Sequence, residues 1–218
     1  MQNLGIQLFV LSISVGASFP IYVEKTKVGQ TDSSGFVLVK KSNGIDLYEK
    51  WYNVTTDRMA REVKVVFTIN TPIESAAALV GDESKSAQWN KSTSQYKIVP
   101  LDDYSWVSYI QYDLPWPVDN QDCVLQHSST RLVDNNIVIQ FRSVDHEIFP
   151  VLKNVSRIMD IKGSWIFQQT PEGARVEYSI TTVPSPTLPR WLTDPIVRNN
   201  LIDTMAEFRN ILEALKHK

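Results

Sequence analysis

Cysteine, histidine and surplus positive charge are all scarce in this sequence. Cys123 is the one cysteine among 218 residues, which excludes an internal disulfide framework and a multi-cysteine metal site. None of the three histidines has the spacing of a metal-binding motif such as HExxH. A formal net charge of -2, without a cluster of lysine and arginine, argues against nucleic-acid binding. We therefore expect a globular protein with no metal, no cofactor and no nucleic-acid partner.

The only marked apolar run is short and lies near the amino terminus, at residues 8–17 (LFVLSISVGA). It is too short to span a bilayer as a stable helix. Its small residues Val15, Gly16 and Ala17 are typical of a signal-peptide cleavage site, but residues 1–7 contain no lysine or arginine. We favour a signal peptide over residues 1–18, and hence a secreted or periplasmic protein. The alternative is a retained helix in a cytoplasmic protein. Residues 19–218 are then one domain.

Strand patterns dominate the middle of the chain. Asn43-Gly44 between two extended runs is a strong hairpin signal, and residues 61–69 alternate charged and apolar side chains. Two short helices are predicted next, the first opened by Pro72 and ended by Gly81. Alternation in the later strands predicts one apolar, aromatic face and one solvated face. These later strands are predicted over residues 95–100, 104–112, 124–133, 137–144, 161–169 and 175–183.

A long amphipathic helix closes the chain. Pro195, preceded by the capping candidate Asp194, is predicted to begin it, and about twenty residues make it about 30 Å long. Such a helix must lay its apolar stripe on the sheet, which predicts an α+β fold. The stripe recurs at spacings of three and four residues and consists of Val197, Leu201, Met205, Phe208, Leu212 and Leu215.

Residues 114–118 (LPWPV) interrupt the strand pattern with a stiff loop. Neither proline can donate a sheet hydrogen bond, and Trp116 replaces the polar residues that are usual in a turn. We expect this loop to cover something apolar, or else Trp116 fills the end of an ordinary core.

Four motifs occur in an informative order. Trp89-Asn90 follows the short helices, and the loop at 114–118 is followed by QDCV at 121–124. Gly163-Ser164-Trp165 opens a strand, and residues 189–192 (PRWL) precede the last helix. With these motifs the chain resembles the START (steroidogenic-acute-regulatory-protein-related lipid transfer) domain family, from about residue 36 onward. The resemblance implies a helix-grip fold, in which a curved antiparallel sheet wraps around a long C-terminal helix.

The predicted site is an internal cavity for one lipid or sterol, held for carriage, transfer or sensing. A curved sheet gripped by a single helix encloses more space than side chains easily fill, although a dense solid core is the alternative. We expect a monomer that contacts membranes transiently, with Trp116 at the interface. The predicted ligand-binding residues are Trp106, Trp116, Phe141, Trp165, Phe167, Tyr178, Met205 and Phe208.

An enzyme is the competing hypothesis, because some helix-grip proteins are cyclases, dehydratases or hydrolases with acid–base groups in the cavity. No nucleophile motif or phosphate loop supports a specific reaction, so no catalytic residue is predicted. A protein-binding module is a third class, and its mark would be an exposed apolar patch. The acid–base candidates, interpreted mainly as surface or satisfied residues, are Asp113, His127, Arg131, Asp145, His146 and Glu177.

Overall fold

The computed structural model describes residues 31–56, 58–90, 93–113, 120–171, 173–183 and 190–215. The candidate signal peptide and the loop that carries Trp116 lie outside the described residues. Within the described ranges, no helix combines the length and the apolar character needed to cross a bilayer.

One strongly curved antiparallel sheet forms the body of the described chain. Its strands follow the order β1-β2-β3-β10-β9-β7-β6-β5-β4, and β8 adds a short parallel pairing to β6. The strands are β1 (Val37–Ser42), β2 (Ile45–Asn53), β3 (Met59–Ile69), β4 (Thr93–Pro100), β5 (Ser105–Tyr112), β6 (Asn120–Arg131), β7 (Ile137–Ser143), β8 (Val155–Arg157), β9 (Lys162–Thr170) and β10 (Gly173–Thr182).

The predicted hairpin at Asn43-Gly44 is confirmed. Ser42 pairs with Ile45, and both turn residues have positive φ angles, of 54° and 69°. Two consecutive positive φ values define the type I′ turn, whose twist matches that of the flanking strands. This turn therefore sets the register of the first two strands.

Three helices pack on the inner face of the sheet: α1 (Ile73–Val80), α2 (Glu83–Trp89) and α3 (Arg190–Leu215). The prediction that Pro195 begins the last helix is wrong, because α3 begins at Arg190 and Pro195 lies inside it. A proline this early removes one helical hydrogen bond without ending the helix. The predicted apolar stripe of α3 is buried at Leu201, Met205 and Phe208.

The predicted alternation of the strands is also confirmed. On β7, Ile137, Ile139 and Phe141 are buried, whereas Gln140 and Arg142 are exposed. Inward side chains of this kind share one core with the three helices.

Several elements meet at one end of the sheet. There β2, β5, β7 and β10 finish, β3, β6 and β9 begin, and Arg61 at the start of β3 contacts Asp194 in α3. The described residues 53–56, 58 and 59 between β2 and β3 and the segment at residues 144–161 lie at this end as well, and we call it the helix-start end.

Candidate ligand cavity

A cavity of about 60 Å³ lies between the inner face of the sheet and the middle of α3. Its wall is largely apolar, and Thr204 and His127 contribute polar side chains. Strands, short helices and α3 all contribute, through Val80, Trp89, Asn90, Tyr96, Ile110, Tyr112, Leu125, His127, Phe141, Trp165, Tyr178, Ile180, Leu201, Thr204 and Met205. Pockets for drug-sized ligands generally measure about 300–1,000 Å³, so this cavity must widen to admit a lipid.

The predicted ligand-binding residues divide into three groups by their position. Those that line the cavity are Phe141, Trp165, Tyr178 and Met205. Those that pack beside it in the same core are Trp106, Phe167 and Phe208. Trp116 lies outside the described residues. Their contact with a ligand stays a prediction.

Stacked and edge-on rings make one wall of the cavity stiff. The ring of Trp165 lies 4.6 Å from that of Tyr178 and 4.9 Å from that of Phe208, measured between centroids. Trp89 meets Phe208 edge-on at 5.4 Å. Such pairs stabilise by about 0.5–1.5 kcal/mol beyond their burial. The wall formed by these rings is therefore well ordered.

His127 is the buried polar residue at the cavity wall. Its Nε2 atom lies 2.8 Å from the hydroxyl oxygen of Ser108, and its ring stacks on Trp106 at a centroid distance of 4.9 Å. Its buried Nδ1 atom has no hydrogen-bond partner among the described residues. Burial lowers the pKa of His127 to about 3, so the ring is neutral at physiological pH.

Little apolar alternation in strand 124–133 predicts that His127 is a surface or a satisfied residue. The surface alternative is wrong, because His127 is buried and its Nε2 atom is paired with Ser108. Both faces of β6 are covered: Leu125 and His127 face the cavity, and Val124 lies in a second small cluster on the outer face, against Val144 and Phe149. A strand buried on both faces has no alternation to detect.

A buried ionic cluster fixes the start of α3 to the sheet. Arg198 donates to both carboxylate oxygens of Glu49, at 2.8 and 2.9 Å, and Arg61 also donates to Glu49. Asp194 lies 3.5 Å from Arg61 and completes the cluster. Burial acts to raise the pKa of Glu49, but the two arginines outweigh it and lower the pKa. Sequence reasoning missed this cluster because its members come from two strands and a distant helix.

The family profile of the START domain matches residues 26–218, which is most of the chain. The chain belongs to the START domain family.

Relatives of this START domain are remote in sequence and similar in fold. An uncharacterized protein of Pseudomonas aeruginosa is 24% identical over 186 residues, covering 85% of this chain and 90% of its own. The STAR-related lipid transfer protein from Xanthomonas axonopodis superposes with a TM-score of 0.71 at 24% identity, covering 82% of this chain and 99% of that fragment. Human StAR-related lipid transfer protein 5 gives a TM-score of 0.68 at 13% identity, covering 86% and 90%. These likenesses show that the helix-grip fold is shared.

A di-domain ARO/CYC protein of the BE-7585A biosynthetic pathway shares the fold more distantly. Its TM-score is 0.51 at 12% identity, covering 71% of this START domain and 50% of that chain. The fold alone is therefore compatible with a lipid carrier and with an enzyme. The chemistry of the cavity side chains has to distinguish these two hypotheses.

The other acid–base candidates do not converge on the cavity of the START domain. Arg131 pairs with exposed Glu74, and Glu177 pairs with Arg175, both at 2.9 Å. Asp113 accepts hydrogen bonds from Ser94 and Asn120 at the end of β5. Asp145 and His146 lie in the segment at residues 144–161, outside the cavity lining.

The described residues give little support for a metal site or for a nucleophilic cysteine. No group of three or more histidine, cysteine, aspartate or glutamate side chains there is placed to hold a metal ion. Cys123 is fully buried, as expected for an apolar filler, and burial raises the pKa of its thiol to about 12. A protonated thiol is a weak nucleophile, so Cys123 does not supply one.

The START motifs have structural roles in this chain. Asp122 of the QDCV motif forms a two-point ion pair with Arg157, with N–O distances of 2.6 and 3.0 Å. Gly163 lies against Phe141 and the carbonyl oxygen of Ser179, so closely that a Cβ atom there would lie 2.1 Å from that oxygen. Asp122 and Gly163 thus stabilise the fold and do not identify a ligand.

Proposed function

We propose that this START domain binds one lipid or sterol in its internal cavity and carries it between membranes. The observation that carries the proposal is an apolar cavity on the inner face of the sheet, with a neutral, incompletely hydrogen-bonded imidazole in its wall. An apolar wall favours the hydrocarbon part of a ligand, at roughly 25 cal/mol per Å² of apolar surface buried.

His127, whose Nε2 atom is paired with Ser108, supplies the polar contact in this proposal. A buried polar atom without a partner costs about 1–3 kcal/mol, and a ligand hydroxyl or carbonyl group that reaches it would recover part of that cost. A neutral imidazole pairs with an uncharged polar group and gives no compensation for a buried charge. We therefore expect a ligand with one uncharged polar group in preference to a free fatty acid anion.

Uptake requires the cavity to widen. The described cavity of about 60 Å³ is several times smaller than a lipid needs. In the proposal α3 moves away from the sheet, and the ionic cluster of Glu49, Arg61, Asp194 and Arg198 sets how readily it moves.

The cavity chemistry favours a carrier over an enzyme. Burial lowers the pKa of His127 to about 3 and raises the pKa of Tyr96 to about 12. Efficient general acid–base catalysis needs a pKa near the working pH, which neither group has. No aspartate or glutamate is found among the described residues that line the cavity.

Native mass spectrometry of the protein purified from its own host, combined with binding of a fluorescent sterol and a fluorescent phospholipid, tests the proposal. A co-purified lipid with saturable binding of one probe is expected. Leu125→Trp, which fills the cavity, should weaken probe binding at least tenfold at a stability cost of about 1–3 kcal/mol. Leu101→Trp, on an exposed turn, is the matched control and should bind normally. A clean apoprotein that binds neither probe would contradict the proposal.

We also propose export, on the basis of residues 1–18. The intact mass of the protein from its host decides this point. Loss of about the first 17 or 18 residues is expected, and a full-length chain would contradict export.

A further inference from the structure

Exposed apolar side chains collect at the helix-start end of the sheet. Ile148, Val151 and Leu152 project from the segment at residues 144–161 and are 54%, 65% and 43% exposed. Met159 on the same segment and Met59 at the start of β3 are also exposed. We call these five residues the apolar ridge.

The two parts of the apolar ridge are tied together. Arg58, next to Met59, pairs with Asp160, next to Met159, at an N–O distance of 3.3 Å. The turn between β2 and β3 therefore lies beside the segment at residues 144–161. The ridge is therefore built from two parts of the chain that lie side by side.

The segment that carries most of the apolar ridge is fixed to the sheet by hydrogen bonds and a ring stack. Arg157 forks onto Asp122 and also donates to the backbone carbonyl groups of Phe149 and Pro150, at 3.1 and 3.3 Å. The Phe149 ring stacks on Tyr109 at a centroid distance of 5.1 Å. These contacts hold the inner side chains of the segment down and satisfy two carbonyl groups close to Val151. The neighbouring apolar side chains of Ile148, Val151 and Leu152 are left exposed to solvent.

The ridge also lies at the helix-start end, where the proposed movement of α3 would open the cavity. The segment that carries it pairs, through β8, with Asn120 to Asp122 at the start of β6. The helix-start end also contains the first turns of α3, held there by Arg61 and Asp194. Tyr112 and Ile180, near the ends of β5 and β10, line the cavity on this side.

We propose that the apolar ridge is the surface by which the domain docks on a lipid bilayer. The inference rests on the proposed function, since a lipid carrier must meet the membrane at the end where its cargo passes. A narrow ridge of single apolar side chains suits insertion into the deformable headgroup region of a bilayer.

The charged residues near the ridge indicate whether it should bind neutral or anionic lipid headgroups. The ion pairs of Arg58 with Asp160 and of Arg157 with Asp122 are internally balanced, and the segment that carries Lys153 also carries two acids, Asp145 and Glu147. Among the described residues of this region, positive charge is not in excess, so it offers no attraction to anionic lipid. Docking on neutral phosphatidylcholine is therefore expected, with little change between low and high salt.

Flotation with phosphatidylcholine vesicles tests the ridge. The triple variant Ile148→Ser, Val151→Ser, Leu152→Ser should lose vesicle binding at least tenfold. The control is the triple variant Leu101→Ser, Leu132→Ser, Val133→Ser, which removes similarly exposed residues at the opposite end of the sheet and should float like the wild type. Failure of the wild type to float, or equal loss in both variants, would overturn the proposal.

A second measurement separates the ridge from the cavity. A fluorescent phospholipid or sterol added from solvent, without vesicles, should bind the wild type and both variants equally. If the wild type floats, the ridge variant does not, and no protein binds either probe, docking stands and the carrier function fails. If the ridge variant loses probe binding together with flotation, the ridge supports the fold, and the docking proposal fails.

Discussion

At the scale of single residues, the neutral state of His127 links burial to acid sensitivity. The unfolded chain binds a proton at this histidine below a pH of about 6.5, whereas the folded protein does so only below about 3. Between these values the unfolded state holds more protons, so stability must fall as the pH falls.

We predict that the free energy of unfolding falls between pH 6.5 and pH 4.5, with a contribution from His127 approaching about 1.4 kcal/mol per pH unit. The pKa of Glu49 is lowered in the folded protein, so its stabilisation is lost only below its ordinary pKa of 4.5. The range above pH 4.5 therefore isolates His127 from Glu49. Urea unfolding should show a flatter dependence in His127→Gln, and identical slopes in both proteins would contradict the assignment.

The close packing around Gly163 gives a prediction that depends only on steric clash. A Cβ atom there would lie 2.1 Å from the carbonyl oxygen of Ser179 and 2.4 Å from the Phe141 ring. Since one of these neighbours is backbone, Gly163→Ala should cost about 3 kcal/mol or more in thermal unfolding. Gly81→Ala is the control, because its nearest neighbours would be 3.9 Å away, and it should change stability by at most about 0.5 kcal/mol. Equal melting temperatures for the two variants would refute the packing argument.

Single residues were the hardest level to predict from the sequence. Alternation placed Phe141, Trp165 and Tyr178 on the inner face correctly, because those strands have one wet face. His127 is a candidate cavity group that the sequence could not place as buried, and Glu49 is not predicted as a buried group at all, since burial of a polar residue depends on partners that are distant in the chain. No local pattern brings Ser108 to His127 or Arg198 to Glu49.

At the scale of elements, α3 is held by charge at its start and by apolar contacts along its middle. Removing one partner from a buried ion pair leaves the other charge uncompensated, at a cost of about 3–5 kcal/mol. The cluster therefore contributes to the position of α3 chiefly by making its displacement costly.

Glu49→Gln should lower the free energy of unfolding by about 3–5 kcal/mol and speed the release of a bound fluorescent lipid, because α3 moves more easily. Glu74→Gln makes the same chemical change in an exposed pair with Arg131 and should cost less than about 1 kcal/mol. Chemical denaturation and stopped-flow release measure the two effects. A stable Glu49→Gln protein with wild-type release would show that the cluster does not restrain the helix.

Elements with strong local signals were predicted well. The Asn43-Gly44 turn sets its hairpin through backbone geometry alone, and the 3.6-residue period of α3 is visible in its apolar residues. The start of α3 was wrong because proline is common at a first helical position, yet here the helix extends five residues before Pro195. The strand Asn120–Arg131 begins four residues before the predicted start at residue 124, and the prediction is late because the residues around Asp122 are polar. In the structure the carboxylate of Asp122 is buried in an ion pair with Arg157.

At the scale of the whole molecule, the fold class was predictable because the order of elements and four motifs agree on one architecture. The cavity size was not predictable, since volume depends on the packing of side chains from several strands and all three helices. The described cavity measures only about 60 Å³, so the proposed uptake of a lipid requires motion of the elements around it.

The pairing of β3 with β10 has a consequence for biosynthesis. Val65 lies opposite Tyr178, so one edge of the early hairpin stays open until the last strand has been translated. A nascent chain in that state exposes unpaired backbone groups and apolar side chains, which other chains can capture. We therefore expect a holding chaperone that binds the chain before β10 is available to raise the yield of folded protein.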